Sequence, residues 1–386
     1  MAYSYVIAGA GLSGSTFARC MAEKGKEVLV VERRSEIGGN LYDEKDESGI
    51  LVQKYGPHIF HTNDEEVYSF ITKYAKWKPF KLRCEVDMLG KSTPSPFNFK
   101  TIDQFYPADK AEELKKHLKD AYPDRVTVTI VELIESTDPL IKEYAEFLFK
   151  NDYSLYTAKQ WGMKPEDVDV SVLKRVPVRT DYQEMYFIDK YECMPVDGFA
   201  AFVESLLNHP NIKVVHADAR TMIKLDAHAG KVAFVGINVE DDCQFVYTGP
   251  IDELFDFNKG ALPYRSLRFE YEKINADSYQ NAPVVAYPQV DGYTRITEYK
   301  KLPEQNIKGV TIIAKEYPQK YDSEGSIDPY YPIPTVETAA LYKKYEEQTA
   351  QFKNLILCGR LADYKYYNMD QAIKRVLEII ENVLIF

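Results

Sequence analysis

Gly9-Ala10-Gly11-Leu12-Ser13-Gly14 lies between an apolar run of strand type, Tyr5-Val6-Ile7-Ala8, and a helix-like stretch from Ser15 to Lys24. A second apolar run, Val28 to Val31, ends on Glu32, eighteen residues past Gly14. The glycines allow a tight turn and a close approach to a helix N-terminus, where free N–H groups and the dipole hold a pyrophosphate. The acid that closes the second strand accepts from ribose hydroxyls. Glycines in this pattern can be no more than a turn. Strand, turn, helix, strand and acid at these distances predict an α/β Rossmann unit with an adenine dinucleotide.

The next residues, Arg33-Arg34-Ser35-Glu36-Ile37-Gly38-Gly39-Asn40, add a second glycine pair on the phosphate side. That arrangement is typical of FAD proteins. No second GxGxxG follows, so no separate nicotinamide domain is expected.

Net charge is −11 over 386 residues, which argues against nucleic acid or an anionic membrane as partner. An acidic chain that binds an anionic nucleotide needs locally placed arginines. The length predicts two or three domains or one multilobed unit. Cys20, Cys84, Cys193, Cys243 and Cys358 lie at least fifty positions apart and form no CxxC, as expected of a reduced, cytoplasmic protein. The first strand begins at once, so no signal peptide is expected, and no apolar run approaches spanning length, so no membrane insertion is expected. His58 and His61 are close but belong to no metal-binding spacing, and no metal is expected.

From Asp103 to Phe149 the pattern is helical, with Leu140, Ile141, Tyr144, Phe147 and Leu148 at helical spacing. Val176 to Tyr191 and Tyr264 to Glu316 read as strands of an antiparallel sheet. Asn354 to Cys358 is strand-like, Gly359-Arg360 a turn and second FAD contact, and Met369 to Val383 an amphipathic helix. The chain thus returns at its end to the first domain. The expected architecture is a discontinuous Rossmann-like FAD-binding domain (1–80, 195–245 and 340–386). It carries a helical substrate-binding insertion (100–165) and an antiparallel β-sheet insertion (81–99, 166–194 and 246–339).

Two constellations stand out. Tyr153 to Gly162 sets two tyrosines and Trp161 among polar groups, able to stack on a base or a sugar, or equally to close a core. Arg175-Val176-Pro177-Val178-Arg179 places two arginines on one face of an extended segment, as a pyrophosphate clamp or a solvated edge; Arg295 is a third candidate with the same two readings. No hydrolase triad or Walker loop appears.

The chain resembles the bacterial UDP-galactopyranose mutases nearly end to end. The resemblance rests on GAGLSGSTFA, RRSEIGGN, KYGPHIFHT, YTAKQWG, RVPVR with Tyr186-Phe187, YTRITE and GRLADYKYYNMDQAI. It implies an isomerase that contracts UDP-galactopyranose to UDP-galactofuranose through a sugar adduct on N5 of reduced FAD, with no net redox. Arg175 and Arg295 match diphosphate-binding arginines, Arg175 on a closing loop of about 166–175, and His61 matches a histidine beside the flavin. Tyr156 matches a uracil-stacking tyrosine, and Trp161 a residue lining the cleft. Tyr186, Tyr330 (or Tyr331) and Tyr366 match tyrosines that reach the diphosphate, and Asn368 stands where the family has an acid.

For the cofactor, the implied contacts are Gly9, Gly11, Gly14, Glu32, Arg33, Gly39, Asn40, His58, Ile59, Arg360, Met369, Asp370 and Gln371. NAD(P)H as a transient reductant, a homodimer, and furanose-containing surface polysaccharide as the pathway are further implications.

Three departures bear on the sugar: Pro94 and Val285 or Ala286 replace asparagines, and Asn368 replaces the acid. UDP-N-acetylgalactosamine or a dTDP-linked deoxysugar is therefore an alternative substrate. An amine-oxidase-type flavin oxidoreductase and a non-catalytic nucleotide binder are the competing classes.

Overall fold

The computed structural model describes residues 2–162, 164–167, 173, 177–322 and 327–383. Its opening strand Tyr3–Ala8 leads through Gly9–Gly11 into helix Leu12–Glu23 and on to strand Val28–Glu32. These two strands sit at the centre of a five-stranded, wholly parallel sheet. Its other members are Ile212–His216 beside Val28–Glu32, then Val239–Tyr247 and Leu355–Leu357 beyond Tyr3–Ala8. The sheet is thus assembled from three distant stretches of chain.

Alternation along the central strands explains why this sheet is covered on both faces. Tyr5, Ile7, Val28 and Val30 pack with Phe17 and Met21 of the first helix, Phe202 and Leu206 of helix Phe199–Leu207, and Ile373 and Val376 of the terminal helix. Val6, Ala8, Leu29 and Val31 face the other way, onto Ile251, Leu254, Tyr345 and Phe352. Apolar residues at both phases are the signature of a parallel sheet buried on both sides.

A seven-stranded sheet forms the second layer, in the order Tyr331–Pro332, Tyr264–Ile274, Thr311–Lys320, Arg295–Glu298, Val284–Ala286, Cys84–Met88 and Lys91–Ser95. All its pairs are antiparallel except Val284–Ala286 with Cys84–Met88. One end packs on a helical unit, where Leu114, Leu118, Ile141, Tyr144 and Leu148 share a core with Val86 and Met88.

Several expectations need correction. The helical stretch Asp103 to Phe149 is broken by strand Thr127–Thr129, whose three β-branched residues pair with Pro177–Arg179. That pairing, and the pairing of Tyr191–Pro195 with Phe60–Thr62 and Trp77–Pro79, takes the described strands of 176–195 out of the large sheet. The break expected at 245 falls inside strand Val239–Tyr247, and that at 340 inside helix Val336–Thr349. Among the described residues no helix is long and apolar enough to cross a membrane.

Candidate active site

A deep cleft runs along the carboxyl edge of the parallel sheet, where ligands of such folds collect. Gly9 (φ +106°) turns the chain so sharply that a Cβ there would lie 2.2 Å from Thr248 Oγ1. At Gly14 a Cβ would lie 2.0 Å from the Gly9 carbonyl, so this glycine lets the helix pack on its own strand. Gly11 has open space apart from Gly39 Cα at 3.8 Å, and its helix start carries no side-chain cap. Its backbone N–H donors are therefore left for an anion.

Glu32 is buried at the far side. One carboxylate oxygen accepts from Ala10 N–H at 2.7 Å and the other from Arg34 N–H at 2.8 Å, which fixes the acid at the cradle's rim. The second wall comes from Thr248-Gly249-Pro250, Gly359, Arg360, Leu361 and the start of helix Met369–Val383. Two helix N-termini, the glycine pair Gly38-Gly39 and the buried acid suit an extended dinucleotide.

Of the residues expected at the cofactor, Gly9, Gly11, Gly14, Glu32, Arg33, Gly39, Asn40, His58, Arg360 and Met369 line this cleft. Asn368, expected at the substrate, lines it too. Ile59 instead sits in the hydrophobic core. Asp370 and Gln371 hold the helix start: Asp370 Oδ1 accepts from Gln371 N–H, and Gln371 Oε1 from Asn368 N–H. His58 shares a 2.9 Å hydrogen bond between its Nδ1 and the Gly56 carbonyl. Burial, with the nearby charges of Arg360 and Arg295, pushes its imidazole down to about 4. It is neutral at physiological pH, so Nδ1 carries the proton and Nε2 is left as an acceptor.

Beyond Arg360 the cleft meets a second cluster. The Arg360 guanidinium lies 4.6 Å from the Tyr331 ring centroid, and Tyr331 stacks on Tyr366 at 5.3 Å. Arg265 is the cross-strand partner of Tyr331. Burial pushes the phenols of Tyr156, Tyr186 and Tyr366 up and keeps each neutral, and the charge of Arg295 reaches all three and opposes that shift. Tyr186 and Tyr366 are 43% and 63% exposed, so their hydroxyl-bearing rings are open to a ligand. Four tyrosines and three arginines thus meet at one place, with Glu316 buried beside Arg295.

Not every expected residue arrives there. Tyr330 is 5% exposed and packs among Tyr55, Phe269 and the ring of Tyr331, and it is Tyr331 that stacks on Tyr366. Arg179 is buried and holds Asp181 through two hydrogen bonds of 2.8 and 2.5 Å. His61 lies outside the cradle lining. Its Nδ1 pairs with Asp189 Oδ2 at 2.7 Å and its ring stacks on Phe187 at 3.8 Å. Arg175, the loop around it and the Trp161 side chain lie outside the described residues.

Sequence reasoning missed Glu316, Arg265 and Asp189. It also missed Asp218, Arg220 and Glu253 in the cleft lining, where Arg33 pairs with Glu253 at 3.0 Å. The run Thr248-Gly249-Pro250, closing a strand, was the one local signal for that wall. Among the described residues no cluster of His, Cys, Asp or Glu could hold a metal.

Fold and site define a Rossmann-type dinucleotide enzyme whose cofactor cleft opens onto a cationic, tyrosine-rich pocket. The family model for UDP-galactopyranose mutase matches residues 151–366, and one for an NAD(P)-binding Rossmann-like domain matches residues 7–74. The chain is 37% identical over 382 residues to the dTDP-fucopyranose mutase of Escherichia coli, covering 97% of this chain and 96% of that one. It is 34% identical to the probable UDP-galactopyranose mutase of Klebsiella pneumoniae, covering 98% and 94%. The crystal structure of a reduced UDP-galactopyranose mutase superposes with TM-score 0.73 at 17% identity, over 100% of this chain and 94% of that one. A putrescine oxidase bound to putrescine shares the fold at TM-score 0.55 and 12% identity, with 100% of each chain covered. The chain belongs to the UDP-galactopyranose mutase family. It is accordingly an isomerase of the mutase type, with FAD as its cofactor.

Proposed function

We propose that this protein interconverts the pyranose and furanose forms of a nucleoside-diphosphate hexose without net redox, UDP-galactose being the reference substrate. The observation that carries this is Arg360, which lines the FAD cradle and also covers Tyr331 in the arginine–tyrosine cluster. Cofactor and diphosphate sites are therefore contiguous. Reduced FAD, when bound, supplies the nucleophile for the anomeric carbon, so no side-chain nucleophile is required.

The chain's own residues bind, orient and neutralise. Arg295, braced by Glu316, meets the negative charge that grows on the diphosphate as its bond to the sugar breaks, and Arg175 would act with it. Tyr156 stacks on the base, while Tyr186, Tyr331 and Tyr366 offer hydroxyls to phosphate oxygens without adding charge. His61, held by Asp189, would reach the flavin from outside the cradle lining. In domain terms the FAD unit extends to Tyr247, the helical unit supplies Tyr156, and the large sheet supplies Arg295. NAD(P)H as reductant, a cytoplasmic setting and a product destined for furanose-containing polysaccharide complete this reading.

One observation favours a second substrate, a dTDP-linked 6-deoxyhexose such as that named for the Escherichia coli relative. Ala286 is the direct cross-strand neighbour of Arg295 and shares its face, whereas Val285 points to the other side. A methyl group therefore stands beside the diphosphate arginine, and Asn368 brings no charge to the cofactor end. Such a wall has few groups for a sugar hydroxyl. The test is anaerobic incubation of dithionite-reduced holoenzyme with UDP-galactose, UDP-N-acetylgalactosamine and dTDP-fucose, followed by chromatography. A furanose product from one of them supports the proposal and ranks the sugars; no product from any overturns it.

A further inference from the structure

Asp152 is 6% exposed and sits in a π-helical turn, Phe149–Tyr153, inserted between helices Pro139–Leu148 and Ser154–Trp161. Single π turns inside α-helices recur at functional sites because the extra residue re-aims the side chains around it. Four residues on is Tyr156, so the two side chains lie one above the other on the same helix face. Among the described residues the Asp152 carboxylate has no hydrogen-bond or ion-pair partner. Lys159, the cation whose charge reaches it, is committed elsewhere: its Nζ donates to the carbonyls of Tyr287 at 2.5 Å, Tyr293 at 3.1 Å and Val290. A buried carboxyl group left without partners is costly unless a ligand completes it. Burial pushes this carboxyl up to about 7, opposed by Lys159.

The missing partner must be a donor that arrives with the ligand and lies against the Tyr156 ring. We propose that Asp152 is a specificity-determining residue that reads the imide edge of the nucleotide's pyrimidine, a carboxyl oxygen accepting the N3–H that uracil and thymine share. Cytosine presents a bare ring nitrogen at that position and offers no such donor. The inference rests on the nucleotide-sugar reading above and adds the base class to it. Such a pocket would accept both uridine and thymidine nucleotides, since the imide edge is common to them.

Calorimetric titration of the holoenzyme at about pH 8.5, where the carboxylate is ionised and can only accept, with UDP, dTDP, CDP and the N3-methylated analogue of UDP tests this. The wild-type enzyme is expected to bind UDP and dTDP alike, and the methylated analogue and CDP about tenfold or more weakly, because a site built to accept a hydrogen rejects an analogue that lacks it. Asp152→Ala should lower UDP affinity to that of the methylated analogue, while Asp152→Asn, which keeps an acceptor oxygen but gains an N–H donor for cytosine N3, should preserve discrimination against the methylated analogue and relax it against CDP. Equal binding of UDP and its methylated analogue by the wild-type enzyme overturns the proposal with no variant needed. So does an unchanged ratio in Asp152→Ala. A wild-type enzyme that binds no nucleoside diphosphate at all contradicts the nucleotide-sugar reading instead, so the two failures are distinct.

Discussion

Arg295 sets both Nε and Nη2 on a single oxygen of Glu316, Oε2, at 2.8 and 2.6 Å. The two residues are direct neighbours across adjacent strands, and the other Glu316 oxygen accepts from Thr294 Oγ1 at 3.2 Å. The guanidinium is thereby locked in orientation, and Nη1 has no partner among the described residues. Replacing Arg295 by Lys keeps the charge and loses the fork. Turnover of the nucleotide sugar should fall about 10- to 100-fold while FAD content, read from the flavin absorbance per protein, stays at the wild-type value. Arg295→Ala should be worse, because it also strands Glu316 as a buried unpaired carboxylate. Near-normal turnover in both variants would remove Arg295 from the mechanism.

Gly11 separates cofactor binding from folding. Its φ is −76°, open to any residue, and an added Cβ would make only an ordinary contact with Gly39 at 3.8 Å. The methyl group would nevertheless stand where the pyrophosphate must approach the helix start. Gly11→Ala should fold with an unchanged apoprotein melting temperature and lose about 10- to 100-fold in FAD affinity, by fluorescence titration. By contrast Gly14→Ala, with its 2.0 Å clash onto the Gly9 carbonyl, should destabilise the apoprotein itself.

Tyr330 and Tyr331 are adjacent, with ring centroids 6.4 Å apart, but their other ring partners differ. Because Tyr331 stacks on Tyr366 under Arg360, Tyr331→Ala should raise the KM for the nucleotide sugar several-fold. Tyr330→Phe, inside the packing against Tyr55 and Phe269, should leave steady-state kinetics near wild type. The reverse pattern would restore Tyr330 to the site.

Asp252 is fully buried. One oxygen accepts from Leu262 N–H at 2.7 Å, the other has no partner, and burial pushes the carboxyl up to about 6. An unfolded Asp titrates near about 4, so the folded state holds the proton more tightly. The stability gained from protonation is complete below about pH 4 and is lost as pH rises through about 6. Asp252→Asn should flatten that dependence and raise stability at about pH 8, relative to wild type, by up to about 2–3 kcal/mol, by urea unfolding. A variant with wild-type pH dependence would refute the assignment.

How much of this was legible in the residues depended on how local the cause was. Leu12–Glu23, Val28–Glu32 and Met369–Val383 follow from glycine, periodicity and strand chemistry within short windows, and the terminal helix has the bounds expected of it. The first helix starts earlier than its expected Ser15 because Gly11 itself forms its N-cap. Long-range partners had no such signal. Asp189 meets His61 across 128 residues and Glu316 meets Arg295 across 21, and only strand register brings either pair together. The Tyr330–Tyr331 choice stayed open for a similar reason: only the fold brings Tyr366 onto Tyr331, and Tyr55 and Phe269 onto Tyr330.

If FAD acts without net electron transfer, as proposed, products outnumber electrons, and counting both tests it. Anaerobic holoenzyme reduced once with a stoichiometric amount of dithionite would be given excess UDP-galactose or dTDP-fucose, and furanose formation followed by chromatography. The account predicts many furanose molecules per FAD from that single reduction, with the flavin still reduced at the end. Product limited to one molecule per FAD, or turnover that requires oxygen and releases hydrogen peroxide, would contradict it and assign the site to an oxidoreductase.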